Sequence, residues 1–558
     1  MSAFSRQSAL LISLFMLSLL SGCNTDFNFC IVDCKRVVST SYGDVQGKSN
    51  SVVATWYDIP YAAAPEDDNR WRAPQPPAPW QGVLETKYRL RGCQQWAVPT
   101  ALLDRFTDED CLTVNVWAPD KPGDHPVMVW FFGGGLLLGS ANEPQYMGHK
   151  LAKSQDVVVV TVNYRLGPMG FLSLPGLTQE QGQSGNYGFL DQVAALQWVN
   201  DEIAAFGGDP DRITLFGESA GGLSVCMHLA SPLSRELFDN AIVASGPCGE
   251  WMTLNQADAD ARGLAFAASM GCDQTDAADQ LACMRGLSGA QLKDKMKIQT
   301  NELFRVDGED WPFFPYITQD NLFVTDTFEN MIAANDALID SGSLTPQSVI
   351  LGTVKDEGSL FEALRDHPSA ANYSSYLTQR YSELDASDIT DVANLYPVQD
   401  FFNVGHAVSQ IAGDRSIVCP TVKTANTLAD AGYPTYHYEF AEYSESVLRK
   451  ITLAQQGTNP PPLGVFHSGE IGFLFGVLGP TSQLDTDAQK AVSASIQGYM
   501  GALAHSGNPN HSDGVAWPQY DNANKAYLVW ADGFNTANAL RESYCNYWIT
   551  EDFFEDSL

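Results

Sequence analysis

Two runs constrain this chain more than any other feature: residues 126–132 read PVMVWFF and residues 156–162 read DVVVVTV. A strand that alternates apolar and polar residues buries one face, whereas a strand apolar at nearly every position has to bury both. Strands of that kind belong to a parallel sheet, whose crossover connections are long enough to lay helices on it. The neighbouring sequence agrees. Residues 191–206 read as a helix, with Val193, Leu196, Trp198 and Ala204 among its apolar positions, stopped by Gly207-Gly208-Asp209-Pro210. Further strands are expected at 212–216, 240–245, 348–353 and 435–440, with a helix running to Leu229. The stretches near 250–345 and 360–430 are helical and loop-rich and read as insertions at strand ends. A length of 558 residues alone would allow several domains. The residues suited to chemistry are scattered from 133 to 467 and have to converge, so a single domain over 41–558 is expected.

Gly217-Glu218-Ser219-Ala220-Gly221 is the only G-x-S-x-G in the chain, and it lies between an expected strand and an expected helix. That context turns a weak motif into a nucleophile: a sharp strand-to-helix turn lifts the serine hydroxyl above the sheet, and small residues on either side let strand and helix approach. A serine that attacks a carbonyl needs N–H donors for the oxyanion. Phe132-Gly133-Gly134-Gly135 follows a buried strand upstream, and its glycines free the backbone N–H groups of Gly134 and Gly135 to join that of Ala220. A phosphate loop is the competing reading, but neither a Walker Lys-Ser/Thr nor a G-x-G-x-x-G is present.

Several segments in fixed order resemble the type-B carboxylesterases, the family of cholinesterases and para-nitrobenzyl esterases. They are Glu109-Asp110-Cys111-Leu112 with Asn115-Val116, Asn163-Tyr164-Arg165, Asn186-Tyr187-Gly188 with Asp191-Gln192, Phe206-Gly207-Gly208-Asp209-Pro210, and FGESAGG at 216–222. The resemblance covers most of the chain. It implies an α/β-hydrolase fold: a mostly parallel central sheet, helices on both faces and large helical insertions. It also implies a carboxylic ester hydrolase that works through a Ser-Glu-His triad and an acyl-enzyme, with a small-molecule ester as substrate and no cofactor. The triad follows the order serine, acid, histidine. The acid falls in Lys355-Asp356-Glu357-Gly358-Ser359, where the resemblance selects Glu357 and residue chemistry alone would accept Asp356. The histidine is His467, in Gly464-Val465-Phe466-His467-Ser468-Gly469-Glu470-Ile471, while His437 and His505 are expected to be structural. Glu218, Ser245 and Glu470 match positions of a buried hydrogen-bonded cluster behind the triad. The same match implies disulfides Cys93–Cys111, Cys272–Cys283 and Cys419–Cys545. Cys226 and Cys248 are left as a fourth bridge or two thiols, and Cys30 with Cys34 as a further pair. The resemblance weakens at Phe132, where lipases often carry His, and at Leu136, where an aromatic is common. It implies an acyl-side location for Trp311, Phe313 and Phe314. The Cys93–Cys111 loop is shorter than in cholinesterases, so no choline-binding gorge is carried over.

The N-terminus gives an address. Arg6 precedes an apolar run over 9–20 broken only by Ser13 and Ser18, too short to span a bilayer and suited to a secretory signal. It ends in Leu20-Ser21-Gly22-Cys23, similar to a bacterial lipobox, and no A-x-A cleavage site is present. Residues 1–22 are therefore expected to be a lipoprotein signal peptide, Cys23 the lipidated residue, and 23–40 a tether. Asn24 suits an outer-membrane or cell-surface destination, with the periplasm or plain secretion as the other exported locations. Of eleven cysteines, ten remain once Cys23 is set aside, an even number fit for disulfides in an oxidising compartment. No zinc spacing appears, so no metal is expected. With 32 basic against 66 acidic residues, the formal charge of -34 repels nucleic acid and anionic lipid, leaving the lipid anchor as the one expected membrane contact. A saline habitat and a tolerated acidic surface explain that charge equally well.

Two other functions fit parts of the sequence. An interfacial lipase or polyester hydrolase would use the same residues but needs a long amphipathic lid, which is not evident. A non-catalytic binding module on the same fold would be expected to have lost a triad member, and none is lost.

Overall fold

The computed structural model describes residues 34–89, 91–95, 106–249, 252–295, 313, 315–454, 456–477 and 479–550. The expected signal peptide, Cys23 and residues 24–33 of the tether lie outside them. Thirteen strands make the main sheet. They are β1 (Cys34–Thr40), β2 (Gly43–Ser49), β3 (Val53–Pro60), β4 (Val83–Glu85), β5 (Thr113–Pro119), β6 (His125–Phe131) and β7 (Val158–Val162). After these come β8 (Gly208–Glu218), β9 (Asn240–Ala244), β10 (Ser348–Val354), β11 (Thr435–Phe440), β12 (Ala526–Trp530) and β13 (Asn535–Asn538). The spatial order is β1-β2-β3-β5-β7-β6-β8-β9-β10-β11-β12-β13, with β4 beside β2. From β7 to β12 in that order every pairing is parallel, and the pairings toward either edge are antiparallel except that of β2 with β4, which is parallel.

The two apolar runs behave as their composition requires. Every residue of β6 and β7 is buried. Successive side chains leave the sheet on opposite faces. Trp130 accordingly packs edge-on to Phe475, with ring centroids 5.0 Å apart. Its neighbour Phe131 meets His228 at 5.3 Å, on the helix that follows the expected nucleophile. Both faces are therefore covered, and the arrangement is the α/β-hydrolase fold that the resemblance implied. A second apolar cluster joins insertion residues such as Leu377, Val392 and Ile411 to Trp548 near the C-terminus.

The tether expectation needs correction at its end. Residues 34–40 are not a free linker but β1, paired antiparallel with β2 through the two-residue connection Ser41-Tyr42. Backbone hydrogen bonds pair β1 with β2, and Val38 and Val45 pack on the core, but Lys35, Arg36 and Val37 are exposed, so no apolar run marks the strand. Other boundaries move modestly. The strand expected at 212–216 spans Gly208–Glu218, because Gly208 already pairs with His125. The helix expected at 191–206 is α1 (Tyr187–Glu202) with a tighter final turn, Ile203–Phe206, ended by Gly207 at φ +85°. Among the described residues no helix is long and apolar enough to cross a membrane.

Candidate active site

The turn after β8 follows from packing around two glycines. A Cβ on Gly217 would lie 2.3 Å from the Gly221 carbonyl oxygen, and one on Gly221 would lie 2.0 Å from that of Phe131. Only glycine lets strand and helix close to this distance. Ser219 between them is driven to φ 57°, ψ −125° and caps α2 (Ala220–Ala230), with its N–H bound to the Ala244 carbonyl at 2.9 Å. Non-glycine residues in this region are strained, and such strain gathers at functional sites. Leu136, Ser245 and Ser468 share the positive φ, at 58°, 48° and 71°.

The glycine loop after β6 lies against this turn. A Cβ on Gly133 would sit 3.0 Å from Cβ of Ser219, and Gly134 and Gly135 have φ +115° and +64°. The Gly134 carbonyl accepts the N–H groups of Leu137 and Leu138 at 3.1 and 3.2 Å. Among the described residues the N–H groups of Gly134, Gly135 and Ala220 donate to no acceptor. The loop is closed by the buried Gln95, whose amide both accepts from Gly139 N–H and donates to Gly139 C=O, each at 2.9 Å.

His467 follows β11, and Glu357 follows β10, its neighbour in the sheet. Nδ1 of His467 lies 2.6 Å from Oε2 of Glu357, whose Oε1 accepts the Val354 N–H at 2.8 Å. The imidazole thus meets Glu357 and not Asp356. The Asp356 carboxylate instead accepts the Val465 N–H at 2.8 Å while its own N–H binds the Val465 carbonyl at 3.0 Å, which joins the acid loop to the histidine loop. Nε2 of His467 makes no hydrogen bond to Ser219 or to any other described residue. Such contacts are often long until substrate binds.

Three carboxylates crowd this imidazole. Glu218 Oε1 is 3.4 Å from Nε2 and accepts the Ser468 hydroxyl at 2.6 Å. Glu470 accepts the Ser245 hydroxyl at 2.8 Å. Burial alone would lower the basicity of His467, but Glu218, Glu357 and Glu470 outweigh it and push it up to about 9. Burial, reinforced by Glu218 and Glu357, pushes Glu470 up to about 8. Glu218 is raised by burial and held back by His467 and the Ser468 hydroxyl. A further carboxylate near Glu218, Glu143, had no signal in the sequence. Burial lifts it to about 7, against hydrogen bonds from the Ser140 N–H and the Gln145 amide. Gln95 and Ser468 were equally silent, since a lone amide or hydroxyl carries no pattern.

The remaining expectations divide. Phe132 stacks on Tyr164 at 4.4 Å, and Leu136 is wholly buried in the core. Phe313 packs on Phe266 at 5.2 Å, while Trp311 and Phe314 lie outside the described residues. His437 is buried, its basicity lowered by burial to about 4, and His505 binds the Gln155 carbonyl at 2.9 Å. Disulfides join Cys93–Cys111, Cys272–Cys283 and Cys419–Cys545, and Cys226–Cys248 is the fourth. Cys30, the expected partner of Cys34, lies outside the described residues. The four bridges among the described residues are the mark of an oxidising, extracytoplasmic compartment. Among the described residues no three His, Cys, Asp or Glu side chains form a metal-binding group.

Comparison with known proteins adds an independent observation. A family model described as the carboxylesterase family matches residues 34–548. The chain is also 33% identical over 566 residues to the acetylcholinesterase of Bungarus fasciatus, an alignment spanning 93% of this chain and 88% of that protein.

Proposed function

The chain belongs to the carboxylesterase family, and on that premise we propose that Ser219, Glu357 and His467 are the triad with which it hydrolyses carboxylic esters. The chain is a serine carboxylic ester hydrolase acting on small-molecule esters. The observation that carries the residue assignment is the 2.6 Å pairing of His467 Nδ1 with Glu357, beside a serine held at φ 57°.

The chemistry then follows. Nε2 of His467 takes the Ser219 proton as the hydroxyl oxygen attacks the ester carbonyl, and Glu357 fixes the tautomer and stabilises the imidazolium. The N–H groups of Gly134, Gly135 and Ala220 receive the oxyanion, each worth about 2.7–4 kcal/mol of barrier. His467 protonates the departing alcohol, and water attacks the acyl-Ser219 ester by the same route. Glu218, Ser245 and Glu470 hold the surroundings of the imidazole.

The chain is further proposed to be one catalytic domain from Cys34 onward, β1 included, exported by a signal peptide at 1–22 and lipidated at Cys23, with an outer-membrane or cell-surface location. The lipobox-like residues 20–23 support this. Nitrophenyl esters graded from short to long acyl chains, with Ser219→Ala as the blank, test the catalytic assignment. Serine-dependent turnover that peaks at one chain length is expected. Equal rates for wild type and Ser219→Ala would remove Ser219 from the mechanism.

A further inference from the structure

The turn that carries His467 contains a misfit. The Gly469 N–H binds the Phe466 carbonyl at 2.9 Å, which closes a four-residue turn with His467 second and Ser468 third. Ser468 has φ 71°. A positive φ at the third position is the type II arrangement, where glycine is usual because a Cβ is strained there. Nothing in the turn itself calls for a serine. Its hydroxyl, however, reaches across 250 positions of sequence to donate to Oε1 of Glu218 at 2.6 Å. That same oxygen is the one 3.4 Å from Nε2 of His467. Glu218 is buried and is the residue before Ser219, and its other oxygen faces Gly133, where a Cβ would come within 2.8 Å of it.

We propose that Ser468 is a positioning residue whose hydroxyl holds the Glu218 carboxylate beside Nε2 of His467, giving the imidazolium a second counter-charge on the Ser219 side. The proposal rests on the roles assigned to Ser219 and His467. Glu357 pairs with the imidazole at Nδ1, away from the reacting proton. Glu218 lies at the other nitrogen, where the proton arrives from Ser219. A buried carboxylate next to other carboxylates tends to take up a proton or turn away, and a hydroxyl donor opposes both. The groups facing Glu218 are His467, Glu357, Glu470, Glu143 and the phenols of Tyr146 and Tyr438. His467 is the only one of these that bears positive charge, so the Ser468 hydroxyl is the neutral donor that keeps the carboxylate available to it.

Ser468→Gly and Ser468→Ala separate the hydroxyl from the strain. Glycine relieves the positive φ and alanine retains it, while both lose the donor. Both variants are expected to lose about tenfold in kcat with KM nearly unchanged, the effect of one hydrogen bond to a charged group. In both, the acidic limb of the kcat/KM profile should move to lower pH. A Glu218 that is protonated or displaced no longer raises the basicity of His467. Ser468→Gly should melt at the wild-type temperature or above it. If Ser468→Gly and Ser468→Ala both keep the wild-type kcat and acidic limb, the hydroxyl does not act through Glu218 and the proposal is overturned. If wild type and Ser219→Ala hydrolyse esters equally, the triad assignment fails and this proposal fails with it. A Ser219-dependent activity with an unmoved Ser468→Gly overturns this proposal alone.

Discussion

Burial pulls His467 toward the neutral form and the surrounding glutamates pull it toward the charged form, and the glutamates prevail, at about 9. A general base has to be unprotonated before it can act, so the free enzyme gains activity as pH rises through the titration of this imidazole. The acidic limb of kcat/KM should therefore lie above the ordinary histidine value of about 6.5. Glu218→Gln removes the attractive charge nearest Nε2 and should shift that limb to lower pH while lowering kcat. A pH–rate profile of both proteins checks the sign, and a limb that moves upward would contradict it. At this scale the sequence is an uneven guide. It offered Asp356 and Glu357 as adjacent acids, and one residue of offset decides which faces an imidazole and which faces the Val465 backbone. That choice depends on where the strand ends, which composition does not encode. Glu143 is invisible for a simpler reason: its effect comes from lying near Glu218, 75 positions away in sequence.

Elements show the same division between patterned and unpatterned signals. β6 and β7 were legible because burial of both faces leaves a continuous apolar run. The sharp turn at Ser219 was legible because steric closeness leaves glycines at fixed spacing. β1 was not, since an edge hairpin exposed to water needs backbone hydrogen bonds and no particular side chains. The glycine loop proposed to receive the oxyanion falls between these cases. Its glycines are visible, but the clamp that closes it is Gln95, brought in beside the Cys93–Cys111 bridge. Gln95→Ala would leave the Gly139 N–H and C=O buried without partners and loosen Gly133 to Gly135. The expected result is a loss of about tenfold in kcat with KM little changed. Steady-state kinetics on a soluble nitrophenyl ester will show it, and a pure KM effect would relocate Gln95 to substrate binding.

Over the whole molecule, the Cys419–Cys545 bridge spans 126 positions and joins the helix Cys419–Asp430 to the C-terminal helix Glu542–Thr550. Both cysteines are buried in the second apolar cluster, which contains none of Ser219, Glu357 and His467. In the chain-entropy account a closure of this length contributes about 4–5 kcal/mol. Replacing both cysteines by serine should lower the melting temperature and shorten the half-life on heating, with kcat nearly unchanged at 25 °C. Loss of activity in proportion to stability would instead tie that cluster to the site. The bridge Cys226–Cys248 bears more directly on chemistry, because it fastens the helix behind Ser219 to the segment after β9. Its consequence is one of timing. In the oxidising compartment that the bridges indicate, the bond forms only once the chain has been made, so a chain still reduced has the residues of the proposed triad but lacks this fastening.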